Sequence, residues 1–233
     1  MIDVRRAESR PHTAIGWLDS HHSFSFGGHY DPNNTHHGLL LVSNDDRVAA
    51  GTGFSTHPHR DMEIVTWVLS GRLEHKDSEG NHGELYPGLA QRMSAGTGIW
   101  HSEMNPSQTE PVHFIQMWVP PDTDRIDPGY EQLDINGALD SGGLHPIASG
   151  QGHDAAITIR QRDAVLWGGR LKPGETVAVP DGRHAHLFIA VGDAELEGAG
   201  SLGEGDAVRL AGACAPNLTA GPDGTEVLIW VTA

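Results

Sequence analysis

Residues 53–71 read "GFSTHPHRDMEIVTWVLSG", and how this stretch folds decides the rest. Its second half, "EIVTWVLSG", is rich in β-branched and aromatic residues and ends on a glycine, the pattern of a strand closed by a turn. In the first half His57 and His59 stand one residue apart. Successive strand side chains alternate between faces, so residues i and i+2 project side by side. Pro58, which cannot donate to a ladder, suits a rim or edge where such a pair meets a cavity. Glu63 follows four residues later as a possible third ligand, and this stretch alone leaves its role open.

Outward from this point, short apolar runs recur with turn residues between them. They are "HGLLLVS", "HFIQMWVPP", "AAITIR", "AVLWGGRL", "ETVAVP", "HLFIAVG" and "EVLIWVT". With 30 glycines and 14 prolines in 233 residues, they predict an all-β protein of sandwiches or barrels, in a chain long enough to bury a sizeable core. No convincing amphipathic helix is visible, although "DPGYEQLDINGALD" has room for a helical turn. Residues 120–154 carry little apolar periodicity and read as a linker. On either side the layout partly repeats, "LSGRLEHKDSEGNHGELYPG" resembling "AVGDAELEGAGSLGEGDAV", which predicts two similar β-modules, residues 1–130 and 131–233. A single large sandwich is the competing arrangement.

Charge and cysteine usage narrow the function classes. Fifteen Lys and Arg against 31 Asp and Glu give a formal net charge of −16, which disfavours direct binding to nucleic acid or to an anionic membrane surface. Cys214 is the single cysteine, so no intramolecular disulfide is available, and it has no flanking base to make it a nucleophile. The first residues lack the apolar core of a signal peptide, and no run approaches a membrane span; a reduced, cytoplasmic protein is expected. Of 16 histidines, six (His12, His21, His22, His29, His36 and His37) lie in the first 37 residues and are expected to be bystanders.

A second pair gives the first its weight. In "GTGIWHSEMN", His101 and Glu103 repeat the i, i+2 spacing on another strand-like stretch. Imidazoles with a carboxylate suit a divalent transition metal with open coordination positions. Gln116 and His113 lie on a strand expected to border this first cavity, while Trp67, Trp118, Trp167 and Trp230 are expected to supply core area.

These residues resemble the cupins, and within them the pirins. Gly51, His57, His59, Glu63 and Gly71 fit the general form of the first cupin signature, and Gly98, His101 and Asn105 fit the second, in which Gly96 replaces the usual proline. The pirin-like strings are "FSFGGHYDP", "GTGFSTHPHRDMEIVTWVLSGRLEHKDSEGN" and "RMSAGTGIWHSEMNP", covering most of residues 24–120; the second half resembles the family far less. A typical cupin places its liganding glutamate five residues after the second histidine and seven before the closing glycine, where this chain has Ile64. Glu63 is one residue out of register, which on a strand turns it to the opposite face. Pairing with Arg60 or Arg92 is its expected role.

The resemblance implies two tandem cupin-type barrels (a bicupin), the first metal-binding and the second metal-free. It implies the ligands His57, His59, His101 and Glu103, with Glu103 also the catalytic base. Iron is the first-choice ion, with copper, nickel, manganese or zinc compatible. The activity implied is quercetin 2,3-dioxygenation of an aromatic substrate by O2, in a monomer. The alternative is an iron-binding, redox-responsive regulatory protein that acts on a protein partner without turnover. A further HxH pair, His184 and His186, has no acidic residue four or five positions on and is expected to be a surface or core pair.

Overall fold

A computed structural model describes residues 1–212 and 215–233; Cys214 lies outside the described residues. The chain opens with β1 (Ile2–Arg5), β2 (His12–Ile15), β3 (Leu18–His22), β4 (Val42–Val48), β5 (Gly53–His59) and β6 (Glu63–Ser70). It continues with β7 (Leu73–Asp77), β8 (His82–Leu85), β9 (Leu89–Ser94), β10 (Ile99–Met104), β11 (Val112–Val119) and β12 (Gly129–Asp134). After the single-turn α1 (Asn136–Leu139) come β13 (His145–Ser149), β14 (Ile157–Thr158), β15 (Ala164–Leu171) and β16 (Thr176–Ala178). The last four are β17 (His184–Leu196), β18 (Gly200–Leu202), β19 (Ala207–Ala211) and β20 (Asn217–Thr232).

Three sheets result. A seven-stranded sheet runs β12-β9-β6-β11-β4-β3-β2, a four-stranded sheet runs β5-β10-β7-β8, and a nine-stranded sheet has the path β1-β19-β17-β20-β15-β13-β14. The first two form one module around a shared core in which Val68 and Phe114 meet Leu73 and Leu85. The third forms the second module, around Leu187, Ile189, Val208 and Ile229.

The alternation of β6 and β11 explains how the modules join. Their even-numbered residues, such as Val68 and Phe114, fill the first module, while Val65, Trp67, Ile115 and Met117 share a cluster with Phe188, Leu228 and Trp230 of the second. Both faces are buried, which is why these strands read as continuous apolar runs rather than alternating ones. The tryptophans also reach across: Trp67 Nε1 donates to Glu226 Oε1 at 2.7 Å and Trp230 Nε1 to Met117 Sδ at 3.1 Å. Each buried ring contributes on the order of a few kcal/mol of apolar burial.

Three departures from the sequence reading have physical causes. The segment read as a linker holds β12, α1 and β13, and β12, which spans the expected 130/131 division, pairs with β9 in the first module. β1, at the opposite end of the first half, pairs with β19 in the second. The strand read in "HGLLLVS" begins at Val42 and runs through Asn44, Asp45 and Asp46, all buried. Such a polar strand is tolerated because its groups are partnered: Asp45 by Arg10 and His113, Asp46 by Ser20, and Asn44 by His22.

Candidate metal centre

β5 and β10 lie side by side and antiparallel, with His57 opposite His101 and His59 opposite Ile99. A register shift between His101 and Glu103 sets Glu103 opposite Phe54. The local HxH and HxE spacings thus become one cluster through a single strand pairing. The ring centroids of His57, His59 and His101 are 4.4 to 4.9 Å apart, and a ligating nitrogen from each lies within 4.8 Å of the others. Glu103 stands outside that closest group but lines the same cavity.

Which nitrogens are free follows from the partners. His57 Nδ1 is 2.8 Å from Ser55 O, which leaves Nε2. His101 Nδ1 stands 3.5 Å from His75 Nδ1, and His75 Nε2 is 3.1 Å from Asp77 Oδ2, so a carboxylate and an imidazole back the ring from behind. Nε2 of His59 and of His101 are buried and have no hydrogen-bond partner among the described residues. Burial, then the neighbouring imidazoles His101 and His57, pushes the His59 pKa down to about 4; burial, then His57 and His75, pushes that of His101 down to about 3. Both are neutral at pH 7, the form a metal requires. Orphaned, neutral, converging nitrogens beside a buried carboxylate fit a divalent transition ion.

Glu103 is held by Gln116, whose Nε2 donates to both carboxylate oxygens, at 2.8 and 2.9 Å. Trp118 Nε1 in turn donates to Gln116 Oε1 at 3.1 Å, which fixes the amide's orientation. Trp118 is therefore a wall of the site rather than core, packed edge-on to His59 at 5.0 Å. The cavity of ≈ 320 Å³ has apolar walls from Leu18, Phe26, Phe54 and Trp118, and polar groups at Asn44, Asp46, Glu103 and Gln116. That volume and lining suit a small aromatic molecule.

Other expected residues fall elsewhere. Glu63 turns toward the second module, where Oε2 accepts from Ser94 Oγ at 2.9 Å and from the Arg160 backbone N–H at 3.0 Å, while Ile64 packs inside with Met93 and Ile99. The ion pair expected for Glu63 is absent among the described residues: Arg92 donates to Ser94 Oγ and pairs with Glu131, and Arg60 pairs with Asp61. His113 is engaged with Asp45 at 2.6 Å and does not line the cavity. His12 and His21, cross-strand neighbours on β2 and β3, form an exposed group with Asp19. His186 follows the face of β17 that meets the first module, with Phe188 and Ala190, whereas Leu187 and Ile189 face the second module's own core. An HxH pair aimed out of its own module has no interior site to serve there.

Asp46 is one residue that sequence reasoning missed. Its carboxyl is buried in the cavity wall against Ser20 Oγ, and burial, reinforced by the charges of Glu103 and Asp45, raises its pKa to about 7. Its only signal in the sequence was a place within an unusually polar strand.

Comparison with known proteins agrees with this geometry. The family model described as Pirin matches residues 3–119, and that described as Quercetinase C-terminal cupin domain matches residues 146–230. A Mycobacterium tuberculosis protein named "Putative quercetin 2,3-dioxygenase" is 59% identical over 230 residues, covering 98% of this chain and 94% of its own. The Escherichia coli K12 protein named quercetin 2,3-dioxygenase is 41% identical over 199 residues, 85% of each chain. The crystal structure of the bacterial pirin YhhW from Escherichia coli in complex with nickel(II) superposes with a TM-score of 0.90 at 37% identity, covering 100% of this chain and 99% of its own. The shared architecture is a metal-binding bicupin. No helix among the described residues is long and apolar enough to cross a membrane.

Proposed function

The chain belongs to the pirin family, and on that premise we propose that it is a metal-dependent dioxygenase that opens the heterocycle of a flavonol such as quercetin. The observation that carries the reading is the convergence of three imidazoles, two of them with buried and unpartnered Nε2 atoms, beside a clamped carboxylate, with His57, His59 and Glu103 facing one aromatic-walled cavity. His57, His59, His101 and Glu103 are the proposed ligands. Iron is the proposed ion, in a reducing, cytoplasmic setting that suits a chain with one cysteine. When bound, such an ion supplies Lewis acidity toward the substrate's oxygen and access to the redox chemistry of dioxygen.

The chain's own groups do the rest. Leu18, Phe26, Phe54 and Trp118 hold a flat aromatic ring system and exclude water. Glu103 accepts the proton of the flavonol 3-hydroxyl, and the Gln116 amide, locked by Trp118, keeps the carboxylate in one orientation while it does so. Over the whole reaction one flavonol and one O2 yield one ring-opened ester and one carbon monoxide, with every atom accounted for. Aerobic turnover of quercetin by iron-loaded protein should fall at least about 100-fold on Glu103→Ala, the lower range for loss of a catalytic acid or base. Equal rates in the two proteins would sink the assignment.

A further inference from the structure

On the far side of His22 from the metal-centre cavity, the interface between the modules contains a small cavity lined by Arg10, Ser23 and Asn34 from the first module's segments and His186 and Arg209 from the second, with Arg5 at its open edge. The two guanidinium groups are exchanged across the interface. Arg10 lies over the ring of Phe188 at 5.3 Å, and Arg209 over that of Phe24 at 4.6 Å. These side chains are deeply buried: the Arg10 side chain is 6% exposed, and Arg209 and His186 are 8% and 2% exposed.

The polar accounting around this cavity is lopsided toward donors. Arg10 Nη2 reaches Asp45 at 3.0 Å, and Arg209 Nη2 donates to Ser23 O at 2.9 Å and Asn34 Oδ1 at 2.6 Å. Arg10 Nε and Nη1, Arg209 Nε, Ser23 Oγ and His186 Nε2 have no protein partner among the described residues. Asp45, the one carboxylate against Arg10, is already shared with His113. Arg209 has no carboxylate partner among the described residues. Burial, then Arg5, lowers its pKa to about 10, so it is still cationic at neutral pH. A buried charge is stable only when it is paired and hydrogen-bonded.

We propose that this interface cavity is a binding site for a small inorganic anion, of halide size, gripped between Arg10 and Arg209 with Ser23 and His186 completing its shell. Size sets the class. A cavity of ≈ 40 Å³ holds about three water-sized spheres, which matches one chloride with one or two accompanying waters. Unpaired N–H groups on two buried guanidinium cations select an anion over a cation. The site also gives the second HxH motif a use: His186 faces the interface and serves the anion rather than a metal. The proposal does not rest on the reading of the metal centre.

The test uses the full-length, metal-loaded protein at constant ionic strength, with chloride or bromide replacing gluconate, an anion too large for the cavity. The melting temperature should rise with halide and saturate, as it does for a ligand bound only by the folded state. Arg209→Met, which keeps an apolar stem on Phe24, should raise the halide midpoint at least tenfold. Should that variant not fold, Ser23→Ala removes one shell donor and should raise the midpoint severalfold. Crystals grown in bromide should show an anomalous peak between the two guanidinium groups. A melting temperature indifferent to halide, or an identical response in wild type and the folded variants, or water in the cavity with no bromide peak, would overturn the proposal.

Discussion

The side-chain amide of Gln116 donates to both oxygens of Glu103, and Trp118 holds that amide from the other side. Hydrogen bonds to a charged group contribute about 1.5–3 kcal/mol, which corresponds to roughly 10- to 100-fold in rate if the orientation is needed only for proton transfer. Gln116→Leu should therefore lower kcat on a flavonol by about that factor while the protein still fills with metal. Elemental analysis alongside turnover separates the two effects; a variant that loses its metal instead would make Gln116 a support of the ligand set.

His101 is backed by His75, and His75 by Asp77, whose carboxylate is also bound by Asn81. Groups behind a ligand orient it and raise its basicity, and losing them costs about 10- to 100-fold in metal affinity. Asp77→Asn should weaken metal binding by that amount in a competition titration with a chelator. An unchanged dissociation constant would mean that strand packing alone positions the ring.

The pKa of Asp46, raised to about 7, gives a pH dependence of stability with a definite sign. In metal-free protein between about pH 4 and 7, folded Asp46 keeps a proton that the unfolded chain has released. Stability then falls as pH rises through this window, at up to about 1.4 kcal/mol per unit for a group fully shifted, and levels off above it. Asp46→Asn should remove that slope, gaining on wild type between pH 5 and 8 in urea unfolding. Parallel pH profiles for the two proteins would show that Asp46 is charged in the folded state.

Gly53 faces the backbone of Glu103 and Met104 on β10, and a Cβ there would meet Glu103 O and lie 2.7 Å from Met104 Cα. Neither strand can yield without separating the His57/His59 pair from the His101/Glu103 pair. Gly53→Ala should cost about 1–3 kcal/mol of stability, the range for overpacking, and weaken metal binding in the same protein. Calorimetry with and without metal reads both; a stable variant with full affinity would show that β5 slides without disturbing the site.

The parts legible in the sequence are those built from short spacings. His57 with His59, and His101 with Glu103, are i, i+2 neighbours, and strand geometry alone sets each pair on a common face. The dismissal of Glu63 was legible too, because Gly71 marks the end of β6 and a single residue of register decides the face. Asp46, His75 and the Gln116 clamp were not, since each acts through pairings between distant strands that no local pattern announces. Nothing local in the polar run "SNDDR" marks a buried strand; its burial rests on Arg10, His113 and Ser20, brought to it from three other parts of the chain. Likewise, Pro- and Gly-rich residues 120–154 hid β12, a strand with no fully buried side chain and so no apolar periodicity.

The pairing of β1 with β19, Asp3 opposite Arg209, reaches across some two hundred residues. During synthesis β1 is made before β2 through β20 and must wait, unpaired, while the first module folds behind it and the second is still being made. Contacts of such sequence separation form late. The earliest-made of these strands thus becomes one of the last to dock, and when it does it seals the same strand that carries Arg209 into the module interface.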